Sequence, residues 1–189
     1  MSSGRPGSHP AALLCAGVLI LLGLINPADA SHRPVPLRVE AGVLVNARAQ
    51  YYFVVPEGWT LDGKSDYRHV VLLHSVSGAS FTVTFKRAPE FDLGTEYQYL
   101  INALTLSGVK SVRRGREGLA IDGRPAMNLT FELPRAGSPP DLISQWLARD
   151  GEVSFEMMAS IPQTQFGART TEVGQMMSSF KWGKRDGQS

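Results

Sequence analysis

Cysteine is nearly absent from this chain of 189 residues, with Cys15 near the start and none after it. Disulfides and thiolate metal sites are therefore excluded from everything that follows residue 15. The chain also has little excess of either charge, because 19 Lys and Arg are balanced by 17 Asp and Glu, which gives a net charge of +2. This balance argues against general nucleic-acid binding, which needs a strongly basic surface.

One long apolar run occurs, Ala11 to Ile25, which is fifteen residues. As a helix it would span about 22 Å, short of the roughly 30 Å hydrocarbon core of a bilayer. Asn26-Pro27 follows and breaks the helix, and Ala28-Asp29-Ala30 then supplies the small residues that a signal peptidase requires. The sequence predicts an export signal over residues 1–30, cleaved between Ala30 and Ser31. The alternative is an uncleaved N-terminal anchor.

The remaining chain has the length of one domain. Residues 31–40 contain prolines and no periodicity, which predicts a tether, and residues 183–189 predict a disordered tail. The folded domain is therefore expected over residues 41–182. We expect an exported monomer in the periplasm or outside the cell, in contact with a membrane only through an uncleaved signal.

Several stretches have the two-residue period of strands. Phe81, Val83 and Phe85 alternate with polar residues, and the run from His69 to His74 is apolar on both faces, which predicts a strand covered on each side. Turn residues punctuate the second half of the chain. Hairpins are predicted across Asp122-Gly123 and Asp150-Gly151, and a loop is predicted at Gly137-Ser138-Pro139-Pro140.

Two stretches have helical spacing. The first begins at a capping box of Thr95 and Gln98 and ends near Gly108; its apolar stripe is Tyr97, Leu100, Ile101 and Leu104. The second begins at about Gln165 after a Thr164 cap; its stripe is Phe166, Thr170, Val173, Met177 and Phe180. The predicted fold is α+β, with about seven mostly antiparallel strands in one sheet and helices on both faces.

Three segments carry a resemblance to a known family: Phe53 to Trp59 (FVVPEGW), Ile121 to Ala126 (IDGRPA), and Ser178 to Trp182 (SSFKW). With the capped helix between them, they resemble the PsbP-like superfamily, which includes PsbP, the Mog-type proteins and the bacterial DcrB-like envelope proteins. The resemblance spans roughly Tyr51 to Trp182. It implies an α/β/α sandwich and a role in binding or assembling other proteins, and it transfers no ligand residue.

The sequence gives only weak signals for groups of residues that could bind a metal or carry out catalysis. His69 and His74 lie five residues apart on one strand, so they point to opposite faces and cannot chelate a metal together. Ser75 and Ser77 lie beside His74, but the Gly-x-Ser-x-Gly motif of serine hydrolases is absent. Carboxylate pairs for glycosidase-like chemistry could be drawn from a larger set: Asp62, Asp66, Glu90, Asp92, Glu152 and Glu156. No metal, cofactor or catalytic residue is assigned.

Two features suggest surfaces that bind a partner. Lys110, Arg113, Arg114 and Arg116 place four cations within seven residues, either as a protected sheet edge or as a site for an anionic partner. Aromatic and methionine side chains are further candidates for exposure, with core packing as the alternative. Tyr51 and Tyr52 are adjacent on a strand, so they face opposite sides of the sheet, and three others lie on the less apolar sides of their elements: Tyr99, Trp146 and Met158.

The prediction is an exported, non-enzymatic domain that binds another envelope or secreted protein or assembles it into a complex, and that binds no nucleic acid. Two alternatives remain. One is an envelope hydrolase that uses carboxylate or serine chemistry, which requires a cleft where such groups meet. The other is a carrier of an apolar ligand, which requires an internal cavity lined by Phe, Leu and Met.

Overall fold

The structure is a computed structural model that describes residues 37–87 and 90–183; there it contains twelve strands and two α-helices. The strands are β1 (Arg38–Glu40), β2 (Val43–Asn46), β3 (Tyr51–Val54), β4 (Trp59–Leu61), β5 (His69–His74), β6 (Ser80–Arg87), β7 (Arg113–Arg114), β8 (Leu119–Ile121), β9 (Arg124–Arg135), β10 (Ser138–Asp150), β11 (Val153–Pro162) and β12 (Lys181–Trp182). The helices are α1 (Leu93–Leu106) and α2 (Phe166–Ser179), and a 3₁₀ turn (Gln163–Gln165) leads into α2.

The strands form two sheets rather than the single sheet predicted. The large sheet has the order β4-β5-β6-β11-β10-β9-β7, with β8 also paired to β9, and the small sheet has the order β1-β2-β3-β12. Every pairing is antiparallel. The α+β class and the mostly antiparallel strands are thus confirmed. The count of about seven strands in one sheet is wrong, because β3 takes the last strand as its neighbour and builds a sheet of its own.

Two hydrophobic clusters form the core, and the pleat of β11 separates them. Phe155, Met157 and Ala159 belong to a cluster that includes Val173 and Met176 of α2. Met158, between them in sequence, packs against a second cluster that includes the α1 residues Tyr97, Leu100 and Leu104. Because successive side chains of a strand point to opposite faces, the two helices pack on opposite faces of this strand.

A group of aromatic rings joins the small sheet to the large one. Phe180, just after α2, stacks on Tyr51 of β3 at a centroid distance of 5.2 Å, and Trp182 of β12 meets Phe155 of β11 at 3.9 Å. The carboxylate of Asp122 accepts hydrogen bonds from the Lys181 ammonium at 2.8 Å and from the Trp182 backbone N–H at 3.0 Å. Residues 180–182 are therefore fixed to both sheets.

The start of α1 is corrected by the structure. Asp92, not Thr95, is the N-cap, and its carboxylate accepts a hydrogen bond from the Thr95 N–H at 2.8 Å. An ionised aspartate at this position also favours the positive end of the helix dipole. The predicted stop is confirmed, because Gly108 has a φ of +75° directly after the last turn. Tyr97 and Leu104 face the core as predicted.

The hairpin turns are mostly where the sequence places them. Asp122 and Gly123 both have positive φ and connect β8 to β9, as predicted. The turn between β10 and β11 lies one residue later than the predicted Asp150-Gly151, because Asp150 pairs with Val153 and leaves Gly151-Glu152 as the turn. The predicted loop at residues 137–140 is wrong: β10 already begins at Ser138, and an irregular register between Ser138 and Asp141 accommodates the prolines.

Strand β5 and helix α2 also differ from the predictions. β5 is covered on one face only, since Leu73 is 43% exposed while Leu72 is fully buried. No side chain caps α2, so the predicted Thr164 cap is wrong, and the preceding 3₁₀ turn makes the connection instead. The buried stripe of α2 passes through Val173 and Met176, which leaves Phe166 largely exposed.

Several predictions fall on other parts of the chain. The cleavage-site residues Ala28, Ala30 and Ser31 and the tail after Gly183 lie outside the described residues. Part of the predicted tether, Arg38–Glu40, forms β1. Within residues 37–87 and 90–183, no helix is long and apolar enough to cross a membrane.

Replacing Phe180 by alanine should lower the free energy of unfolding by about 3–5 kcal/mol, because the ring is 1% exposed and meets Tyr51 of the small sheet and Phe155 of the large one. Phe166→Ala, on a ring that is 43% exposed, is the matched control and should cost less than about 1 kcal/mol. Urea unfolding of the two variants measures the difference. Equal losses would contradict the placement of Phe180 in the core.

Candidate partner-binding surface

Helix α1 covers only part of the large sheet. The cluster beneath it is built from strands β9 and β10, through Leu129, Phe131, Ile143 and Leu147. On the same face, the region beyond β11 consists of β6, β5 and the edge strand β4. Leu73 of β5 is 43% exposed, so the face is open at this strand.

The floor of this open region follows from the strand register. Met158 of β11 lies opposite Thr82 of β6, and Thr82 lies opposite Val71 of β5. Neighbouring strands are about 4.8 Å apart, so this row runs about 10 Å outward from the Met158 side chain, which packs under α1. Leu73 follows Val71 two residues later on the same face.

One flank of α1 forms the wall beside this floor. Glu96, Tyr99 and Leu106 are three and seven residues apart, so they share a flank of the helix. Glu96 identifies the direction of that flank, since its carboxylate contacts Ser154 of β11 and Lys86 of β6. Tyr99 is 56% exposed, and Phe91 packs edge-on against its ring at 5.4 Å.

This floor and wall are named the α1 surface and comprise Val71, Leu73, Thr82, Met158 and Tyr99. None of these side chains is charged. Leu73 and Tyr99 are exposed, Val71 and Met158 are half-buried, and Thr82 is buried. Interface centres in protein complexes are depleted in charge and enriched in tyrosine and methionine.

The other aromatic candidates named from the sequence belong to the core or its margin. Tyr51 is buried, and Tyr52 is half-buried. Trp146 is half-buried against the α2 cluster. Core packing, the alternative given from the sequence, holds for Tyr51 and Trp146.

A buried polar network closes one end of the α1 surface. Lys86 forms an ion pair with Glu96 at 2.6 Å, and the Ser154 hydroxyl donates to the same carboxylate at 2.8 and 2.9 Å. Gln145 donates to the carboxylate of Glu156 at 2.5 Å. Burial raises the pKa of Glu156, and the nearby Glu96 adds to this, whereas Lys86 and Gln145 oppose it. Through Glu96, these contacts tie α1 to β6 and β11.

Sequence reasoning named Glu156 from this network and missed Lys86, Glu96, Gln145 and Ser154. A signal was available for one of them. Glu96 precedes Leu100 by four residues and so lies near the apolar stripe of α1, where an unpaired carboxylate would be costly. Its partners lie on strands distant in sequence, and no local pattern identifies them.

A second polar cluster joins α2 to the β4–β5 edge. His74 Nδ1 lies 3.0 Å from the Ser77 hydroxyl and 3.1 Å from the Ser77 backbone N–H, and His74 Nε2 lies 2.6 Å from Arg169. Arg169 pairs with Glu172 at 2.5 Å, and the Trp59 indole N–H donates to Glu172 at 2.7 Å. The structure thus brings together Ser77 and His74, which the hydrolase alternative requires.

The third position of this cluster does not suit a hydrolase. In a catalytic triad a carboxylate orients the second histidine nitrogen and stabilises the imidazolium. Here the guanidinium of Arg169 occupies that position, and Ser77 is a turn residue whose backbone N–H also faces the ring. The arrangement fastens the β5–β6 turn to α2. His69 lies on the opposite, exposed face of β5, as predicted.

The remaining carboxylates named from the sequence have local structural roles or lie in solvent. Asp62 and Asp66 accept backbone hydrogen bonds in the β4–β5 loop, and Asp92 caps α1. Glu152 pairs with Arg87 at 2.7 Å, and Glu90 is exposed. No two of these carboxylates share a partner in these contacts. Among the described residues, no group of three or more His, Cys, Asp and Glu could hold a metal ion.

The four clustered cations lie at an edge of the large sheet. Arg113 and Arg114 form β7, which pairs with the outer side of β9, while Lys110 and Arg116 flank that strand. All four are exposed. This position agrees with the protected-edge interpretation and leaves the charges open to an anionic partner.

Two clefts on the described part of the chain bear on the carrier alternative. One, of about 240 Å³, lies between α2 and β8 and is lined mainly by Leu119, Ile121, Trp146 and Met177. The other, of about 290 Å³, lies near Trp182 and includes Phe85, Phe155 and Arg124. Both are open to solvent and smaller than typical ligand pockets, which begin at about 300 Å³.

Replacing Glu156 by glutamine should stabilise the protein increasingly as the pH rises above about 4.5, the ordinary pKa of the group. The raised pKa contributes stability that is present below the unfolded pKa and is lost as the pH rises through the folded pKa. Unfolding free energies of parent and variant across acidic to neutral pH test this. Glu152→Gln, at an exposed carboxylate in the turn that leads into β11, is the matched control. Parallel curves for the parent and Glu156→Gln would contradict the prediction.

No family model matches this chain, and no curated protein matches it. Solved structures do. LpqN of Mycobacterium tuberculosis, described as involved in cell envelope biogenesis, has a TM-score of 0.56 at 10% identity over 69% of this chain and 82% of its own. Cyanobacterial PsbP (CyanoP) from Synechocystis sp. PCC 6803 has a TM-score of 0.51 at 16% identity over 86% and 99%.

A Bacteroides thetaiotaomicron structure has a TM-score of 0.50 at 11% identity over 74% of this chain; the match spans about half of that protein, 47%. Identities this low establish the fold and carry no residue role from one protein to another. The chain therefore has the PsbP-like fold that the FVVPEGW, IDGRPA and SSFKW segments predict.

Proposed function

We propose that this protein is an exported, non-enzymatic domain that binds another envelope protein through the α1 surface. The observation that carries the proposal is a pair of exposed apolar side chains on the α1 side of the large sheet, Leu73 of β5 and Tyr99 of α1. A contiguous exposed apolar patch on a monomer marks an interaction site, and the proposal assigns these two side chains to one such patch. The surrounding fold is an α/β/α arrangement in this proposal, with the helices as outer layers.

Three observations support this function over the alternatives. The Ser77–His74 contact has a guanidinium where a hydrolase needs a carboxylate. The two clefts are open, whereas a carrier needs an enclosed cavity. The comparison with LpqN adds an envelope context, since that protein is described as involved in cell envelope biogenesis.

A photoreactive phenylalanine analogue placed at Leu73 or Tyr99 should cross-link the partner in intact cells that make this protein. The matched control is the same analogue at Val76, which is 89% exposed but lies in the β5–β6 turn, outside the α1 surface. Adducts at Leu73 and Tyr99 but not at Val76 are expected. Met158→Asp should reduce the adduct at Tyr99 by at least tenfold if Met158 lies at the centre of the contact, where hot-spot residues contribute about 2 kcal/mol or more.

Two results would contradict the proposal. One is equal cross-linking at all three positions, or none at any of them. The other is hydrolysis of generic ester or glycan substrates by the purified protein with loss of that activity in Ser77→Ala. A retained circular dichroism spectrum and unfolding midpoint would show that Met158→Asp is folded.

A further inference from the structure

The four exposed cations Lys110, Arg113, Arg114 and Arg116, here named the basic strip, lie within seven residues of one another and are not paired with a carboxylate in the described part of the chain. Seven cations elsewhere in the described residues form ion pairs with carboxylates: Arg38, Lys86, Arg87, Arg124, Arg135, Arg169 and Lys181. Within residues 37–87 and 90–183, no carboxylate lies within ion-pair distance of the strip. Its positive charge is therefore not neutralised by this part of the chain.

The backbone of the strip is held firmly against the sheet. The Gly115 N–H donates to the Asn128 carbonyl at 2.6 Å, and a Cβ atom at residue 115 would lie 2.7 Å from that carbonyl oxygen. Only glycine permits this close approach. The Arg114 guanidinium donates to the Gln98 side chain at 2.9 Å and stands over the Tyr97 ring at 5.9 Å. The backbone of the strip and the Arg114 side chain are thus positioned before any ligand arrives, which lowers the entropy cost of binding.

The directions of the cations indicate the shape of the ligand. Arg113 and Arg114 are neighbours on a strand, so they point to opposite faces of the sheet edge. A site for one phosphate or one carboxylate needs cations that converge, and these diverge. A ligand with an extended array of negative charges, in contrast, can contact cations on both faces of the edge at once. Three of the four are arginine, whose planar guanidinium binds phosphate oxygens through two parallel hydrogen bonds.

We propose that the basic strip docks the edge of the large sheet against an anionic phospholipid surface. This goes beyond the proposed function, because the strip and the α1 surface lie on different flanks of α1 and neither requires the other. Each Lys or Arg near such a surface contributes about 1 kcal/mol, so four cations give weak, reversible attachment. Such attachment acts as a second signal beside a protein partner or another anchor.

Sedimentation with lipid vesicles tests the proposal. The protein used is the predicted mature chain, residues 31–189, which contains every residue of both hydrophobic clusters. It should bind vesicles of phosphatidylcholine mixed with phosphatidylglycerol and not vesicles of phosphatidylcholine alone. Salt should abolish the binding, since the Debye length falls to about 3 Å at 1 M.

Matched variants separate the strip from overall charge. Arg113→Gln, Arg114→Gln and Arg116→Gln together should weaken binding about a hundredfold, the effect of three charges at an anionic surface. Arg38→Gln, Lys64→Gln and Arg87→Gln remove the same charge elsewhere and should leave binding unchanged within about twofold. Arg113→Lys, Arg114→Lys and Arg116→Lys together should retain binding, which also covers the case in which the glutamine variant is poorly folded.

Four outcomes would overturn the proposal. They are no binding to the mixed vesicles, equal losses in the two triple-glutamine variants, displacement of the protein by inorganic phosphate at matched ionic strength, and tighter binding to poly-glutamate than to vesicles. The third would indicate a single-phosphate site, and the fourth an acidic protein. Cross-linking at Tyr99 is measured separately, so failure here leaves the protein-binding function standing.

Discussion

The strict alternation of side chains along β11 is the constraint on which the rest of the structure depends. Phe155 and Met157 must serve the core under α2, so Ser154 and Glu156 must face the side of α1. Polar groups that point towards a helix have to be paired, and here Lys86, Gln145 and Glu96 provide the partners. The buried network and the uncharged floor next to it are thus two results of one pleat.

Local patterns predicted most of the fold. The Asp122-Gly123 turn, the alternation of Phe81 with Val83 and the inward stripe of Tyr97 depend on neighbours in sequence, and the structure has them in place. The separate small sheet was missed because β3 and β12 pair across about 130 residues, a distance at which periodicity carries no information. The prediction that β5 is covered on both faces was wrong for a related reason. Burial of its second face depends on where α1 lies, which is not visible in the local sequence.

The candidate site was predictable only in part. Tyr99 and Met158 were named as candidates for exposure because each lies on the less apolar side of its element. Leu73 was not, because four apolar residues in a row read as a strand covered twice, and α1 in fact stops short of β5. The basic strip was visible in sequence as a run of cations. Its unpaired state could not be read there, because ion pairing is a property of the folded surface.

The pairing of β12 with β3 has a consequence for the order of assembly. Phe180 and Trp182 complete the aromatic group between the sheets, yet they are among the last residues of the domain to be synthesised. Phe53 has Phe81 as a ring contact earlier in synthesis, but its contact with Phe180 forms only late. Such long loop closures slow folding. The small sheet is therefore complete only when residues 181–182 pair with β3.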